Sequence, residues 1–538
     1  MLNINALLNF DAFDHPVEDL QLIETHSAWV ILTGKYAYKI KRPVDLGFLD
    51  FSTLEKRKFY CEQEIVLNNR LTQDLYIKIV PITRCVDHYK FDGRGETVEW
   101  AVKMHQFSQS ALFSHLINAG DLTVTQIDAL SQKVAVFHGE ARQVDRQDDY
   151  GSFESISQAA INNFEVFESN SKFSVWDSKV RNLQQWTIDS LKTLEPVFEK
   201  RKIEGMVREC HGDLHLNNII WRNQQVEIFD GIEFNPHLRW IDVINDLAFC
   251  LMDLEANDRL DLANRLLNNY LEQTGDYNGL QVLRFYMAYR AMVRAKVNRI
   301  RLSQNHEDDV HSTSAQLCEK YLNLAELYSK PSSPRLVIMH GLSASGKSSI
   351  SKSLAEFSGA IRIRSDVERK RKSTDIGQSE TAKNLYSQNQ IKKTYLLLLE
   401  LSHKILNSGY SVIVDATFLK QENRLLFLNL AKARRIPFAI LSCTASEEEL
   451  RRRLEKRGHQ GKSVSDADGN VLTQQIASQD ALNSEENFST YKFDTEKMQG
   501  MTEVHQFWEE FSRVNGNDMN VTELLSAEAD RFEPWATD

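Results

Sequence analysis

The stretch RLVIMHGLSASGKSS at 335–349 places an apolar run before a glycine-rich loop and the start of a helix. Within it, Gly341, Gly346, Lys347 and Ser348 fit the pattern G-x-x-x-x-G-K-[ST]. In this pattern backbone amides cradle phosphate oxygens, the lysine reaches the β- and γ-phosphates, and the serine ligates magnesium. The stretch therefore predicts a nucleotide-binding strand, loop and helix. The other predicted members of the phosphate cradle are Ser343, Ala344, Ser345 and Ser349.

Two more short strands follow this loop, and each ends in an aspartate. IRIRSDVERKR brings Asp366 to the end of one strand, and SVIVDATF brings Asp415 to the end of the next. An arginine-rich helix, RRRLEKRG, follows at 451–458. The alternation of strands and helices predicts a parallel α/β sheet.

This order resembles the small P-loop kinases of the polynucleotide-kinase and zeta-toxin type. The resemblance implies that Asp366 is the general base, that Arg369 contacts the acceptor, and that Asp415 organises the metal shell. A lid helix would bring arginines to the transferring phosphate, where they exclude water and balance charge. The candidate lid arginines are Arg453 and Arg457, with Arg451 and Arg452 as alternatives. The small size of this region favours a kinase over a mechanical ATPase.

A second signature lies upstream, in CHGDLHLNNII at 210–220 and VEIFDG at 226–231. Asp213 and Asn218 stand five residues apart, and Asp230 follows an apolar strand. Phosphoryl transfer needs a base near the acceptor hydroxyl and an amide and a carboxylate for magnesium, and this spacing supplies all three.

The motif HGDLHLNNI resembles the catalytic loop of the aminoglycoside-phosphotransferase and choline-kinase-like superfamily over about residues 20–325. The resemblance implies that Asp213 is the catalytic base, that Asn218 and Asp230 bind magnesium, and that Asp246 supports the loop. It also implies that Lys39 is the strand lysine that contacts ATP, paired with Glu64 or Glu62. The sequence departs from the kinase pattern in one respect, since no G-x-G-x-x-G precedes Lys39.

The whole arrangement resembles a bacterial fusion of these two kinds of domain. The fold class that it implies is α/β and α+β, with an N-terminal protein-kinase-like fold and a C-terminal P-loop domain of three layers around a parallel sheet. The segment YSKPSSPRL at 328–336 has the composition of a linker. The predicted parts are a kinase-like domain at 1–328, a linker at 329–335, a P-loop kinase domain at 336–500 and an acidic tail at 501–538.

Composition limits the class of protein further. The 538 residues include 42% hydrophobic and 26% charged residues, typical of a globular protein. Neither a signal peptide nor a membrane-length apolar run is apparent, and the six cysteines lack metal-binding spacing, so we expect a cytoplasmic protein. The net charge of -11 argues against a protein that coats nucleic acid. Residues 331–500 nevertheless carry 26 Lys and Arg against 19 Asp and Glu.

The leading hypothesis is an ATP- and Mg²⁺-dependent phosphotransferase with two nucleotide-binding domains. Its acceptor would be a hydroxyl of a small molecule or of a nucleic-acid end, although nucleic acid is not favoured. One alternative is a P-loop kinase regulated by a non-catalytic, nucleotide-sensing kinase-like domain. Another is a nucleic-acid end-repair 5′-kinase. The acceptor, any communication between the sites and the oligomeric state stay open at this stage.

Overall fold

A computed structural model of the chain describes residues 2–47, 49–85, 88–168, 175–304, 312–375, 388–460, 469–498 and 500–514. The chain divides into two compact units. The first unit comprises residues 1–259 and 282–329, and the second comprises residues 260–281 and 330–538.

The first unit begins with an antiparallel six-stranded sheet in the order β1-β2-β3-β6-β4-β5. The sheet contributes to two apolar clusters, one with Ile31, Tyr38 and Ile40 and the other with Ala37, Val102 and Met104. A helix, α1, crosses this sheet after the third strand and is capped by the Thr53 side chain. The elements are β1 Gln21–Glu24, β2 Ala28–Leu32, β3 Tyr36–Lys41, α1 Leu54–Asn68, β4 Tyr76–Cys85, β5 His88–Phe91 and β6 Glu96–His105.

The rest of the first unit is mainly helical, with two small antiparallel sheets that form the loops of its site. Helix α8 is buried on nearly all sides and lies at the centre of this region. The elements are α2 Phe113–Ala119, α3 Val124–Glu140, α4 Phe153–Ile161, α5 Glu165–Glu168, α6 Asp177–Ile203, β7 Val207–Glu209, β8 Ile219–Arg222, β9 Gln225–Ile228, α7 Pro236–Arg239, β10 Trp240–Asp242, α8 Val243–Ala256, α10 Leu280–Gln304 and α11 Thr313–Ser329.

The second unit is built on a parallel five-stranded sheet in the order β12-β13-β11-β14-β15. Its inner strands are almost wholly apolar and buried, because helices cover both faces. The chain leaves β11 towards one edge of the sheet and later returns to the other side of β11, which makes the carboxyl end of β11 a topological switch point. The strands are β11 Leu336–His340, β12 Ile361–Arg364, β13 Val412–Asp415, β14 Phe438–Thr444 and β15 Thr490–Asp494.

The helices of the second unit include α9, although its residues were expected to belong to the first domain. They also include α19, whose Val504, Phe507 and Phe511 lie in the apolar core beside the sheet. The helices are α9 Leu260–Thr274, α12 Lys347–Ser358, α13 Ser365–Asp375, α14 Gln388–Asn407, α15 Gln421–Arg434, α16 Glu447–Gln460, α17 Gly469–Ser478, α18 Ser484–Asn487 and α19 Thr502–Arg513.

These elements confirm the predicted fold class. The division differs from the expected domains at two places, since residues 260–281 lie in the second unit and residues 502–513 form a core helix. An apolar stripe on α19 overrides the acidic composition of the 501–538 segment, because three large side chains of one helix face are buried. Among the described residues, none of the helices has the length and apolar character that a membrane span requires.

Candidate functional sites

The glycine-rich loop joins β11 to α12 at the switch point of the second unit. Gly341 has φ +135°, and a Cβ there would lie 2.3 Å from the backbone oxygen of Cys443. Gly346 has φ +88° and packs against Thr495, while Ala344 also takes a left-handed φ of 64°. Only glycine fits the first of these positions, since the backbone of β14 passes so close. The loop shape is therefore set by backbone geometry.

Lys347 begins α12 and points back over this loop. Its Nζ donates to the Leu342 carbonyl at 2.6 Å and lies 3.4 Å from Ser345 Oγ. Ser348 is exposed in the first turn of the same helix. A lysine over the loop and a hydroxyl at the helix N-terminus are the groups that the sequence predicts for the phosphates and the metal.

Two aspartates stand at the carboxyl ends of neighbouring strands beside this loop. Asp415 ends β13, receives a hydrogen bond from Ser351 Oγ at 3.0 Å and pairs with Arg362 at 2.8 Å. Burial would raise the pKa of Asp415, but Arg362 and Lys347 outweigh it and lower the pKa. Asp366 lies in the first turn of α13, and burial together with Asp415 raises its pKa against the opposing effect of Arg369. The Arg369 guanidinium is 3.5 Å from the Asp366 carboxylate. A raised pKa makes Asp366 the better proton acceptor of the two.

Among the candidate lid arginines, Arg453 contacts the loop. It donates to the Ala344 carbonyl at 3.3 Å and to Thr495 Oγ1 at 2.9 Å, and Thr495 in turn donates to the Ser345 carbonyl at 3.1 Å. Arg451 pairs with Glu447, and Arg452 pairs with Glu449. All four residues belong to α16, and both arginines are exposed to solvent. The side chain of Arg457, the other candidate, lies outside the described residues. Thr495 was not predicted, because no motif marks it.

In the first unit, Lys39 lies between two carboxylates. Its Nζ is 2.8 Å from Glu64 Oε1 and also bonds Asp230 Oδ1. Burial lowers the pKa of Lys39, but these two carboxylates raise it by more, so that its pKa lies above the usual value. Glu64 is fully buried, whereas Glu62 is exposed and lies 3.8 Å from Lys58. The structure thus selects Glu64 as the partner of Lys39.

A second lysine extends this ion pair. Lys41 follows Lys39 by two residues on β3, so it lies on the same face, and its Nζ is 2.7 Å from the other oxygen of Glu64. It also bonds Glu233, three residues after Asp230. Burial would raise the pKa of Glu64, but the two lysines lower it to about 2. The sequence analysis missed Lys41 and Glu233, although the alternation Lys-Ile-Lys on a strand was a usable signal for Lys41.

Asp213, His215 and Asn218 of the HGDLHLNN motif lie in contact with one another. Asn218 Nδ2 donates to the Asp213 carbonyl at 2.9 Å and to its carboxylate at 3.1 Å. His215 Nε2 is 3.2 Å from the same carboxylate. Burial would raise the pKa of Asp213, but His215, His211 and Arg290 outweigh it and hold the pKa well below its usual range. Asp213 is therefore a carboxylate at neutral pH, held by its neighbours.

Asp246 supports this loop from α8. Its two oxygens accept the backbone amides of His211 at 3.1 Å and Gly212 at 2.8 Å. His138 Nε2, also buried, is 3.1 Å from the same carboxylate. Arg290 contributes from α10 by donating to the Gly212 carbonyl at 3.1 Å and to Asn245 at 2.7 Å. The Arg290 side chain is itself buried.

The chain turns after β9 at Asp230, which takes a left-handed φ of 61°. Its amide donates to the Tyr76 hydroxyl at 3.1 Å, and the Gly231 amide donates to Asn68 Oδ1 at 2.8 Å. These two bonds hold a strained turn and leave the Asp230 side chain 44% exposed. The carboxylate is therefore open to a ligand on one side.

The turn between β1 and β2 spans residues 25–27. It contains His26, whose pKa is lowered by burial and by Arg301 even though nearby Asp230 opposes this. The following hairpin holds Gly34, and its amide and that of Thr33 both donate to Gln106 Oε1, at 2.9 and 3.0 Å. The Gln106 side chain thus accepts from two backbone amides of this hairpin.

Comparison with known proteins agrees with this geometry in the second unit. Residues 336–482 match the family AAA_33, described as an AAA domain. The match begins at β11 and includes the loop, Asp366 and Asp415, which confirms the predicted P-loop region.

Relatives extend over most of the chain. Uncharacterized proteins of Mycobacterium tuberculosis (Rv2004c) and Mycobacterium bovis (Mb2027c) are each 29% identical over 450 residues, covering 82% of this chain and 88% of theirs. The similarity therefore extends over most of the length of both proteins.

Solved structures give more distant likenesses. A choline/ethanolamine kinase family protein from Mesorhizobium loti matches at 9% identity, a TM-score of 0.36, and 58% of this chain and 88% of its own. A gluconokinase from Sinorhizobium meliloti matches at 18% identity, a TM-score of 0.24, and 38% and 99% coverage.

Proposed function

We propose that the chain is an ATP- and Mg²⁺-dependent phosphotransferase with a nucleotide site in each unit, which transfers the γ-phosphate to a hydroxyl group. The observation that carries the proposal is the second unit's switch point, where the Gly341–Ser348 loop, Lys347, Asp366 and Asp415 converge. The first unit supports it with Lys39 paired to Glu64 and with Asp213 bonded to Asn218.

In the second unit, the loop amides and Lys347 would bind the β- and γ-phosphates. Asp366, with its raised pKa, would take the proton of the acceptor hydroxyl as the acceptor oxygen forms its bond to the γ-phosphorus. The bond between that phosphorus and the bridging oxygen breaks, and ADP leaves. Arg453, which bonds the loop, would stabilise the charge on the transferred group.

In the first unit, Lys39 would contact the phosphates while Glu64 fixes its position. Asp213 is already a carboxylate, and its low pKa makes it a weak base before transfer begins. It would orient the acceptor hydroxyl and receive the proton late, which suits a loose transition state. Asp246 and Arg290 hold the loop that carries it.

Both sites offer oxygen ligands that suit magnesium. Asn218 and the half-exposed Asp230 would hold it in the first unit, and Ser348 and Asp415 in the second. The bound ion would neutralise charge on the phosphates.

The test is transfer of labelled γ-phosphate from ATP to a pool of cell metabolites and to 5′-hydroxyl RNA. Wild type, Lys347→Ala and Asp213→Asn are compared, with Lys352→Ala as a matched lysine on α12. We expect each site variant to remove a different labelled product, by on the order of 10²–10³-fold. If neither variant changes any product, the proposal is wrong. Labelling of the RNA would identify a nucleic-acid end as the acceptor, and this labelling should fall as the salt concentration rises.

A second candidate function is favoured by the turn at 25–27 and by Gln106, which occupies the hairpin amides. In this hypothesis the first unit binds nucleotide without transferring phosphate and regulates the second. Asp213→Asn would then leave every labelled product in place while changing the ATP dependence of the second site. Loss of a product in that variant would exclude the regulatory hypothesis.

A further inference from the structure

The segment 260–281 supplies polar contacts to the second unit along one edge of its sheet. The edge strand β12 would expose unpaired backbone groups, and Asn268 of α9 satisfies two groups at this edge. Its Oδ1 accepts the Arg362 amide at 2.7 Å, and its Nδ2 donates to the Ala360 carbonyl at 3.2 Å. Helix α9 therefore completes this edge in place of a further strand.

The same helix contacts α12 through a separate ion pair. Arg265 lies 2.6 Å from Glu356, at the end of α12 remote from the glycine-rich loop. Asn264 donates to the Glu356 carbonyl at 2.8 Å. This contact anchors α9 but lies away from the proposed chemistry.

Further along α9, Glu272 reaches the start of α13. Its carboxylate is 2.7 Å from Arg364, and its backbone oxygen accepts a hydrogen bond from Arg371 at 2.7 Å. Arg364 is the last residue of β12 and precedes Asp366 by two positions. The strand side of Asp366 is therefore fixed by Glu272.

The helix side of Asp366 is fixed by the turn that follows α9. The Tyr277 hydroxyl donates to Glu368 Oε1 at 2.9 Å, and both side chains are buried. Gly275 has φ +73°, and a Cβ there would lie 2.2 Å from the Arg371 guanidinium. The left-handed φ favours glycine at this turn, and the Arg371 side chain of α13 lies against it.

The residues two positions before and two positions after Asp366 are consequently both held by the segment 260–281. We propose that Glu272 and Tyr277 are positioning residues for Asp366, so that this segment is a working part of the acceptor side of the second unit. The inference rests on the proposed role of Asp366 as base. A displacement of about 1 Å at a reacting group is sufficient to slow transfer by one to two orders of magnitude.

The test uses the full-length chain with Asp213→Asn, so that turnover reports the second site, and MgATP with water as acceptor. Both variants keep the side-chain shape: Glu272→Gln removes the charge that pairs with Arg364, and Tyr277→Phe removes the hydroxyl that bonds Glu368. We expect kcat to fall on the order of tenfold in each, with KM for ATP changed by less than about twofold. Tyr277→Phe removes a single hydroxyl and serves alone should Glu272→Gln fail to fold.

Glu356→Gln is the matched control, since it breaks an α9 ion pair of the same kind away from Asp366. It should lower the unfolding midpoint about as much as the test variants do and leave kcat unchanged. An unchanged kcat in both test variants, or an equal fall in the control, would overturn the inference. Lys347→Ala in the same background separates the two questions, because turnover that survives it contradicts the proposed function itself.

Discussion

The two candidate sites are built in opposite ways. In the second unit, the phosphate cradle is eight consecutive residues, Gly341 to Ser348, and its shape follows from backbone conformation. In the first unit, Lys39, Glu64 and Asp230 come from distant parts of the chain and meet through side-chain ion pairs. A site formed by consecutive residues can be recognised in the sequence. A site formed by paired side chains depends on the fold that brings those side chains together.

The difference predicts different weak points. The backbone site should fail when a Cβ is added, and the side-chain site should fail when one charge is removed from its network. Each of the following substitutions tests one side of this contrast.

The largest effect is expected from Gly341→Ala. Its left-handed φ alone costs about 1–3 kcal/mol in a residue with a Cβ, and the new Cβ would also displace the backbone of Cys443. Nucleotide binding at the second site should be lost, as measured by calorimetry with MgATP. Gly469→Ala, where the added atom meets no neighbour within 4 Å, is the control and should bind normally. Normal binding by Gly341→Ala would show that the loop tolerates another backbone path.

The next effect concerns the buried ion pairs of the first unit. Lys41→Met leaves Glu64 and Glu233 without a shared counter-charge, and removing one partner of a buried pair costs about 3–5 kcal/mol. Chemical denaturation should show this loss in the transition of the first unit. Lys58→Met, which touches an exposed pair on α1, should change little. A stability change below about 1 kcal/mol for Lys41→Met would mean that the network does not hold the site.

A pH effect should also separate the units. Burial raises the pKa of Glu255 to about 7, although the Tyr328 hydroxyl, 2.7 Å away, opposes this. An acid with a raised folded pKa stabilises the fold below its unfolded pKa, and this contribution is lost as pH rises through about 4.5 to 7. The difference in unfolding free energy between wild type and Glu255→Gln should therefore change by about 3 kcal/mol between pH 5 and pH 8. Glu195→Gln, on the exposed side of α6, should show no such change.

The smallest effect is expected at the lid. Arg453→Ala removes a guanidinium that bonds the loop and Thr495, and kcat at the second site should fall about tenfold or more. Arg451→Ala removes an arginine from the solvent side of the same helix and should leave kcat unchanged. Equal rates for both variants would assign the lid role to another residue.

Much of the fold was predictable because local patterns were consistent with it. The hairpin at 27–42, the helix that begins near 53 and the parallel strands after 335 all carry the periodicity of their elements. The segment 260–281 was expected to belong to the kinase-like domain at 1–328. Its pattern reveals an apolar face on α9 but not which surface buries that face, so its place in the second unit was not predictable.

The site was predictable to a similar degree. Asp213, Asn218 and Asp230 have a spacing that the sequence reveals. In the structure Asn218 bonds Asp213, and Asp230 bonds Lys39. The choice between Glu64 and Glu62 required the orientation of α1, which buries one and exposes the other. Glu233 carries no signal of its own, since only its contact with Lys41 distinguishes it from other acidic residues. Their roles in catalysis stay predictions until the variants are measured.

The sequence by itself determined the order of strands and helices, the glycine-rich loop and the presence of two phosphotransfer signatures. These depend on periodicity and on consecutive backbone, which are local properties. Only the tertiary structure decided that Lys41 and Glu233 join the ion pairs of the first unit and that Glu272 and Tyr277 hold the helix of Asp366. The physical reason is that a charged side chain is buried only where a partner of opposite charge or a hydrogen bond meets it, and that partner is chosen by packing among residues far apart in the chain.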